Sequence, residues 1–450
     1  MQIRNGYNLT RVKVQQSMAE LIDDGYQQSK LVPYSELGYF KVQQRDSQQI
    51  MKNIHNMLLP ELIPLRNARM AVNEFAFFRG SVELMDHDLV RGYNSGIPAI
   101  ICGDAHIGNF GFFASPERQL LFDLNDFDEA GINYWEWDLK RLLVSILLAG
   151  KNNQFESEKI IKLLRKVSKT YRKGLTAAYD QTALTRFYPK NSVAQMMAFV
   201  DDETNKNLLD HIIAKAQNRN SEQVVKKYTT TDTYGQLQFK ENPPRSTHPN
   251  KAISKRIVKA FGDYRQTVRT DVALLLSQYH ITDIIRHSVG VGSFGSLCYL
   301  ILLTNNDGSH LVLQVKEALP TRKRRNEDHK ALTLQIEANE GQRIIDCQKI
   351  LQSASDPFLG YFQANEKNFY VRQFRDMKES IDLTKLTWPQ FKSYVKICAL
   401  ILANAHSQSP RGATILGYVH DGKNFDLAVS QWAQAYSAQV HLDYQQFVKP

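Results

Sequence analysis

The chain carries only four cysteines in 450 residues, Cys102, Cys298, Cys347 and Cys398. They are scattered and never spaced as CxxC, which argues against a disulfide framework and against a zinc site. No apolar run approaches the roughly 18–20 residues needed to span a bilayer, so no membrane partner is expected. The N-terminus, Met1-Gln2-Ile3-Arg4-Asn5, lacks the apolar core of a secretory signal, and a cytoplasmic location is the expectation. There is no internal repeat. What remains is ordinary for a globular protein, 43% hydrophobic and 23% charged. The length allows two or three lobes with substantial cores. A net charge of +10 raises the question of nucleic acid. The basic residues are dispersed, however, with the densest cluster at Arg322-Lys323-Arg324-Arg325. That run reads as a solvated loop or as a contact for phosphate. Nothing resembles an RNA- or DNA-binding module, so no nucleic-acid partner is expected.

Pattern divides the chain into five stretches. Residues 1–85 read as an N-terminal helical region, mixed in polarity over 10–70 and broken at Pro60 and Pro64. Residues 86–222 hold short apolar strands at 97–102 and 119–127, then helices over Trp137–Leu148 and about 157–180. The second helix is basic on its outer face, at Lys159, Lys162, Lys166 and Lys169. Residues 223–280, Thr-rich and Pro-containing at their start, read as a connecting segment. Residues 281–378 read strand, strand, strand, helix (about 327–352) and strand (Phe369–Phe374). Residues 379–450 return to helix, including one over 390–406.

The densest chemistry lies in the second stretch. Residues 102–109 read Cys-Gly-Asp-Ala-His-Ile-Gly-Asn, and an apolar run then ends in Asp126-Phe127-Asp128. An Asp five residues before an Asn, followed by an acidic tripeptide after a short strand, is the order in which kinase-like phosphotransferases build a catalytic centre. In that pattern Asp104 takes the proton of an acceptor hydroxyl, Asn109 holds metal, and the later Asp holds metal against nucleotide phosphates. His106 orients the loop or touches metal; the bland alternative is that Asp104 and His106 cap a turn. Asp123, Asp126 and Asp128 compete for the metal role. Alternation places Asp126 with Phe122, Leu124 and Asp128 and turns Asp123 away, so Asp126 is preferred and Asp128 is a second ligand. Acidic oxygen ligands suit Mg²⁺ or Mn²⁺. Asp138 reads as a brace for the loop or as a helix N-cap. Arg79, in Phe78-Arg79-Gly80, presents a guanidinium to a phosphate or turns a corner. His420-Asp421 with Asn424 imitates the loop at too short a spacing, and Trp135 and Trp137 read as core.

A second cluster follows in the fourth stretch. Gly290, Gly292 and Gly295 form GxGxxG around Ser293. Alone the pattern is weak, because dinucleotide sites share it. Here it leads into β-formers, Leu297–Leu303, and an Asn305-Asn306-Asp307-Gly308 turn, so it reads as a glycine flap between antiparallel strands. Such a flap covers phosphates with backbone N–H groups that larger side chains would block. The next strand places Lys316 near its end, where it would reach the α- and β-phosphates of ATP. Its partner on the following helix is Glu337 or Glu340, and Glu340 is preferred.

The Gly103–Asn109 loop is similar to that of aminoglycoside and choline phosphotransferases. The chain as a whole resembles a bacterial family catalogued as domain of unknown function 2252. The matching stretches are Phe77–Gly80, Gly103–Gly111, Asp123–Glu129, Trp137–Arg141, Leu313–Ala318, Gly341–Arg343 and Tyr370–Lys378. The resemblance implies an α+β, two-lobed protein-kinase-like fold with extra N-terminal helices. Cys102 departs from the His that opens the usual kinase motif, and the acidic tripeptide ends in Asp rather than Gly. Order is the larger departure. The catalytic loop and metal Asp come first, and the glycine loop, Lys316, helix and hinge-like Tyr370–Phe374 strand come last. The 390–406 helix ends Ala403-Asn-Ala-His-Ser-Gln, much like the helix that precedes a kinase catalytic loop. The simplest account is a circular permutation, tolerated where chain ends lie close together. It predicts that Lys316 and Asp126 face one cleft. The expected activity is ATP- and Mg²⁺-dependent phosphoryl transfer to a small-molecule acceptor or a protein. AMP transfer on the same fold and a nucleotide-binding pseudokinase scaffold or sensor are the alternatives.

Overall fold

The computed structural model describes residues 16–188, 214, 221–288, 296–320, 339–375 and 378–449. Gly290, Gly292, Ser293, Gly295, the Arg322–Arg325 cluster and Glu337 lie outside the described residues. The fold is mixed α+β. It opens with helices α1 (Met18–Leu31), α2 (Tyr34–Leu37), α3 (Ser47–His55), α4 (Ile63–Met70), α5 (Glu74–Gly80) and α6 (Val82–Val90). A Ser17–Glu20 capping box starts α1. Pro60 and Pro64 fall in first turns, a 3₁₀ turn and α4, where their missing N–H costs no hydrogen bond.

Strand β1 (Pro98–Ile101) follows, then the β2 (Phe110–Ala114) and β3 (Leu120–Leu124) hairpin, then β4 (Gly131–Tyr134), antiparallel to β1. Asp126 and Asp128 lie beyond the end of β3, so strand alternation does not decide which way they face. Asp123, which is on the strand, accepts from the amide and hydroxyl of Ser353, both at 2.9 Å. Helix α7 (Glu136–Asn152) is buried on every side from Glu136 to Gly150, which makes it the axis of the assembly. Helix α8 (Ser157–Tyr179) buries Ile160, Leu163, Val167 and Tyr171 and leaves its five lysines outside. Helix α9 (Ala183–Phe187) ends this stretch.

The expected connecting segment is folded. It contains α10 (Ser221–Tyr228), a β5 (Thr229–Thr231) and β6 (Leu237–Phe239) hairpin, β7 (Ser246–Thr247), α11 (Lys251–Arg265) and α12 (Thr270–Leu276). Thr229–Thr231 form β5 itself and Pro243 and Pro244 lie in the turn before β7, while Ile257, Ala260, Phe261 and Tyr264 recur at helical spacing and are buried. The segment covers a six-stranded antiparallel sheet formed with β8 (Tyr279–His287), β9 (Cys298–Asn305), β10 (His310–Ala318), β11 (Gly360–Ala364) and β12 (Lys367–Gln373). The strand order is β11-β12-β10-β9-β8-β7. Helix α13 (Glu340–Leu351) joins β10 to β11. A single strand was expected after that helix. The extra strand arises because Asn365 and Glu366 turn at φ 49° and 62°, with no glycine to announce a hairpin.

Along β10, Leu311, Leu313 and Val315 pack with Phe261 and Tyr264, while Val312 packs with Val225 and Leu302 on the other face. Period-two alternation therefore puts Gln314 and Lys316 on the Val312 face. A Thr387–Gln390 capping box starts α14 (Trp388–Ser407), followed by α15 (Gly412–Tyr418) and α16 (Gly422–Val448). The largest core joins α7, α8, α14, α16 and β1–β4, and α13 contributes Ile344, Ile345 and Leu351 to it. Buried Arg45 ties the N-terminal helices to α16 through Asp88 (2.8 Å) and Asp443 (2.6 Å). Among the described residues, no helix is long and apolar enough to cross a membrane.

Candidate active site

The loop after β1 is fixed from beneath. Gly103 turns at φ +84°, which a side chain would resist. Asp138, in the first turn of α7, accepts from the Cys102 amide at 2.8 Å and the Gly103 amide at 2.9 Å. It is buried and also lies 3.3 Å from His406 Nε2, whose Nδ1 meets the Tyr171 hydroxyl at 2.7 Å. Of its two expected roles, the geometry is that of the brace. Further along, Ile107 donates to Ser145 Oγ and accepts from Tyr394, so α7 and α14 both grip the loop.

Asp104 projects from this loop with 22% of its side chain exposed. Its Oδ1 accepts from Arg141 Nε at 2.7 Å, and Arg141 also donates to the Phe78 carbonyl while stacking on that ring. Arg141, one turn beyond Asp138 on α7, is a partner that motif reading did not assign. His106 Nε2 sits 3.7 Å from Asp104 Oδ2. Burial drives His106 down to about 3, against the pull of Asp104, so its ring is neutral at ordinary pH. Its Nδ1 is buried without a hydrogen-bond partner.

Asn109 spends its carboxamide on the main chain. Nδ2 donates to the carbonyls of Asp104 (3.0 Å) and Asp126 (2.9 Å), and Oδ1 accepts from the Asp126 amide at 2.8 Å. It thereby fixes Asp104 relative to the acidic tripeptide. Lys316, buried on β10, bonds to Asp128 Oδ2 and lies 3.9 Å from Asp126 Oδ1. Tyr370, opposite Lys316 in the β10–β12 register, donates to Asp128 Oδ1 at 2.9 Å. Burial pulls Lys316 down, but Asp126 and Asp128 outweigh it and its affinity for a proton rises. Burial pushes the Asp126 carboxyl up, yet Lys316, Arg372 and Lys378 hold it below the usual range.

Glu340 does not reach Lys316. It bonds to Arg343 at 2.5 Å, one turn along the same helix, because α13 begins at Glu340 and buried Arg343 needs a carboxylate. Arg343 in turn holds the carbonyls of Ala130 and Asp128. Lys316 pairs instead with the tripeptide itself.

Asp104, His106, Asn109, Asp126 and Asp128 line one cavity of about 260 Å³. Ser296, Glu317 and Leu319 enter it from the sheet, and Arg66, Arg79 and Glu83 from the N-terminal helices. Lys378 lines this cavity and a neighbouring one of about 510 Å³. Burial and Arg372 bring the Lys378 amine down to about 7. Arg372 bonds to Gln314, its neighbour across β10–β12. The decoys behave as such: Asn424 bonds to Asp421 at the start of α16, and Trp135 stacks on Tyr171 in the core.

The residues fit a metal ion that arrives with phosphate oxygens. Asp126 Oδ1 is buried with no hydrogen-bond donor, an orphaned anionic oxygen. Among the described residues, no three His, Cys, Asp or Glu side chains cluster to hold a metal by themselves. Mg²⁺ sites in general use one or two carboxylates plus substrate phosphates.

A family model described as "Uncharacterized protein conserved in bacteria (DUF2252)" matches residues 58–450, and the chain belongs to that family. No curated protein and no solved structure matches it.

Proposed function

We propose that this member of the DUF2252 family is an ATP- and Mg²⁺-dependent, kinase-like phosphotransferase whose two lobes are encoded in permuted order. One observation carries the reading: Lys316 bonds to Asp128 across 188 positions of sequence, and Asp128 lines the same cavity as Asp104. The β11-β12-β10-β9-β8 order, with α13 between β10 and β11, supports residues 281–378 as the nucleotide lobe. Residues 86–222 and 379–450 would form the catalytic lobe. The Ile100 amide donates to Ser409 Oγ at 2.9 Å, so the end of α14 meets the strand that feeds the catalytic loop. That contact supports the permutation, because an unpermuted chain would run directly from one to the other.

Bound Mg²⁺ supplies charge neutralisation on the nucleotide phosphates. Lys316 holds those phosphates, exchanging its bond to Asp128 for one to a phosphate oxygen. Asp126 offers its orphaned Oδ1 to the metal, and Asn109 keeps Asp126 and Asp104 in fixed relation. Asp104, oriented by Arg141, takes the acceptor's hydroxyl proton as that oxygen bonds to the transferred phosphorus. The bond from phosphorus to the bridging oxygen breaks, and the electron pair leaves on ADP. The catalytic contribution is positioning and electrostatics rather than covalent chemistry.

One observation favours a pseudokinase scaffold instead. Asn109 Oδ1 already accepts the Asp126 amide, which leaves it poorly placed as a second-metal ligand. Thermal shift with ATP and Mg²⁺, on wild type and on Lys316→Met and Asp126→Ala, tests nucleotide binding. A shift in wild type that both variants lose is expected; no shift in wild type sinks the reading. Labelled ATP then separates the activities: γ-label transfer means phosphotransferase, α-label transfer means AMP transfer, and binding without transfer means scaffold.

A further inference from the structure

The cavity has a wall that the phosphotransferase reading does not use. It comes from α4, α5 and α6 and carries two guanidinium groups, Arg66 and Arg79, against one carboxylate, Glu83. Arg66 is buried, donates to the Gly80 carbonyl at 2.5 Å, and has no carboxylate partner among the described residues. Arg79 Nε is buried without a hydrogen-bond partner. Burial lowers the proton affinity of both side chains, and for Arg79 it outweighs the pull of Asp104. Asp104 and Asp126 act on Arg79 from across the cavity, but neither accepts from its buried Nε, so a hydrogen-bond donor remains for an oxyanion brought from outside.

The place for that anion is marked by Gly108. A Cβ there would stand 3.3 Å from His106 Nδ1 and 3.4 Å from Arg79 Cζ. The missing side chain leaves a notch narrower than a methyl group needs, so an oxyanion would meet the guanidinium and the imidazole nitrogen at its mouth. That nitrogen belongs to a side chain only 9% exposed and has no partner. The notch lies in the Asp104–Asn109 loop itself, beside the carboxylate that would face the acceptor hydroxyl.

We infer that the Arg79–Gly108–His106 notch is an oxyanion subsite for the acceptor, so that the acceptor carries a phosphate or carboxylate close to its reacting hydroxyl. Arg79 holds the oxyanion through its guanidinium fork, and the neutral His106 ring donates to it from the tautomer that carries the proton on Nδ1. Glycine at 108 admits it. The assignment of this anion to an acceptor rests on the phosphotransferase reading; the binding site does not.

The test is titration of the full chain with inorganic phosphate, glycerol 2-phosphate and glycerate, with glycerol and choline as uncharged and cationic controls. Wild type is expected to bind the three anions saturably and neither control. Gly108→Ala fills the notch on a backbone that tolerates alanine and should weaken anion binding about tenfold or more, as should Arg79→Gln. Lys159→Met, an exposed lysine on α8, should change it less than about twofold, and Lys316→Met is carried alongside to report on the nucleotide site. Absence of saturable anion binding by wild type overturns the inference. So does equal binding by Gly108→Ala and Arg79→Gln, or loss in Lys316→Met alone, which would assign the anion to the nucleotide phosphates. If Arg79→Gln fails to fold, Gly108→Ala decides by itself. Anion binding that depends on Arg79 and Gly108, in a protein that shows no shift with ATP and Mg²⁺, would defeat the phosphotransferase reading and keep the subsite.

Discussion

Asp138 fixes the Cys102–Asp104 turn that opens the candidate-site loop, and its removal has a magnitude that follows from its contacts. The carboxylate accepts two main-chain N–H groups, from Cys102 and Gly103, in a fully buried setting, and faces His406 Nε2. An orphaned buried amide costs about 1–3 kcal/mol, so losing acceptors for two of them costs roughly 2–6 kcal/mol. Water entering the vacated space recovers part of this, and Asp138→Ala is expected to cost about 3–4 kcal/mol. Asp138→Asn keeps one acceptor oxygen and turns an NH₂ toward the other donor, so it should cost about half as much. A chain of this size need not unfold in one step, so the informative readout is local. Amide hydrogen exchange at Cys102, Gly103 and Asp104 should accelerate in the order wild type, Asp138→Asn, Asp138→Ala. Exchange across Leu300–Leu303 in the sheet should stay at the wild-type rate. Wild-type exchange at Cys102 and Gly103 in Asp138→Ala would refute the brace.

Other perturbations probe the charge arrangement. Lys316→Met removes the cation that does most to hold Asp126 down, so the Asp126 carboxyl should titrate at higher pH, measurable by carboxyl ¹³C NMR. An unchanged Asp126 titration would mean that Arg372 and Lys378 suffice. Glu340→Gln should leave ATP-induced stabilisation within about twofold of wild type, because Glu340 serves Arg343. Arg343→Met should cost about 3–5 kcal/mol in denaturant unfolding by orphaning buried carbonyls and Glu340. A loss of ATP binding in Glu340→Gln matching that of Lys316→Met would restore the Lys316–Glu340 pairing. Lys378 supplies a pH signature. Its folded value of about 7 lies below the ordinary 10.4, so the unfolded chain binds the extra proton and stability rises with pH between them. Lys378→Met should flatten that rise and stabilise the protein below pH of about 7, read by denaturant midpoints across pH; a profile parallel to wild type would contradict it.

How far the site was legible depended on whether its geometry is local. The loop from Gly103 to Asn109 and the Asp126 tripeptide are short, glycine-punctuated segments whose residue types and spacing leave few conformations. Their joint placement could be read without neighbours. The order of motifs likewise pointed to Lys316 meeting Asp126, because a lysine on a strand next to a glycine turn has one common use. The partners that tune these groups were not legible in the same way. Tyr370 reaches Asp128 and Arg372 reaches the Asn125 carbonyl because β10 and β12 pair with Lys316 opposite Tyr370 and Gln314 opposite Arg372. That register is set by core packing on both faces of the sheet and not by any local pattern. Arg141 was quoted within a motif, but only the burial of α7 on all sides turns it toward Asp104. Glu340 shows the converse error. A helix carboxylate after a strand lysine is a reasonable partner on spacing alone, yet buried Arg343 three residues on is a nearer and more demanding one. The 223–280 segment, expected as a connection, holds elements its composition did not announce. Thr229–Thr231 form β5, Pro243 and Pro244 lie in a turn, and what holds the segment is the apolar stripe of Ile257, Phe261 and Tyr264 against a sheet encoded later in the chain. Where a residue's role is fixed by neighbours in sequence, composition and spacing reveal it. Where the role is fixed by a surface formed elsewhere in the chain, the same residue has several equally good local readings, and only the pairing decides among them.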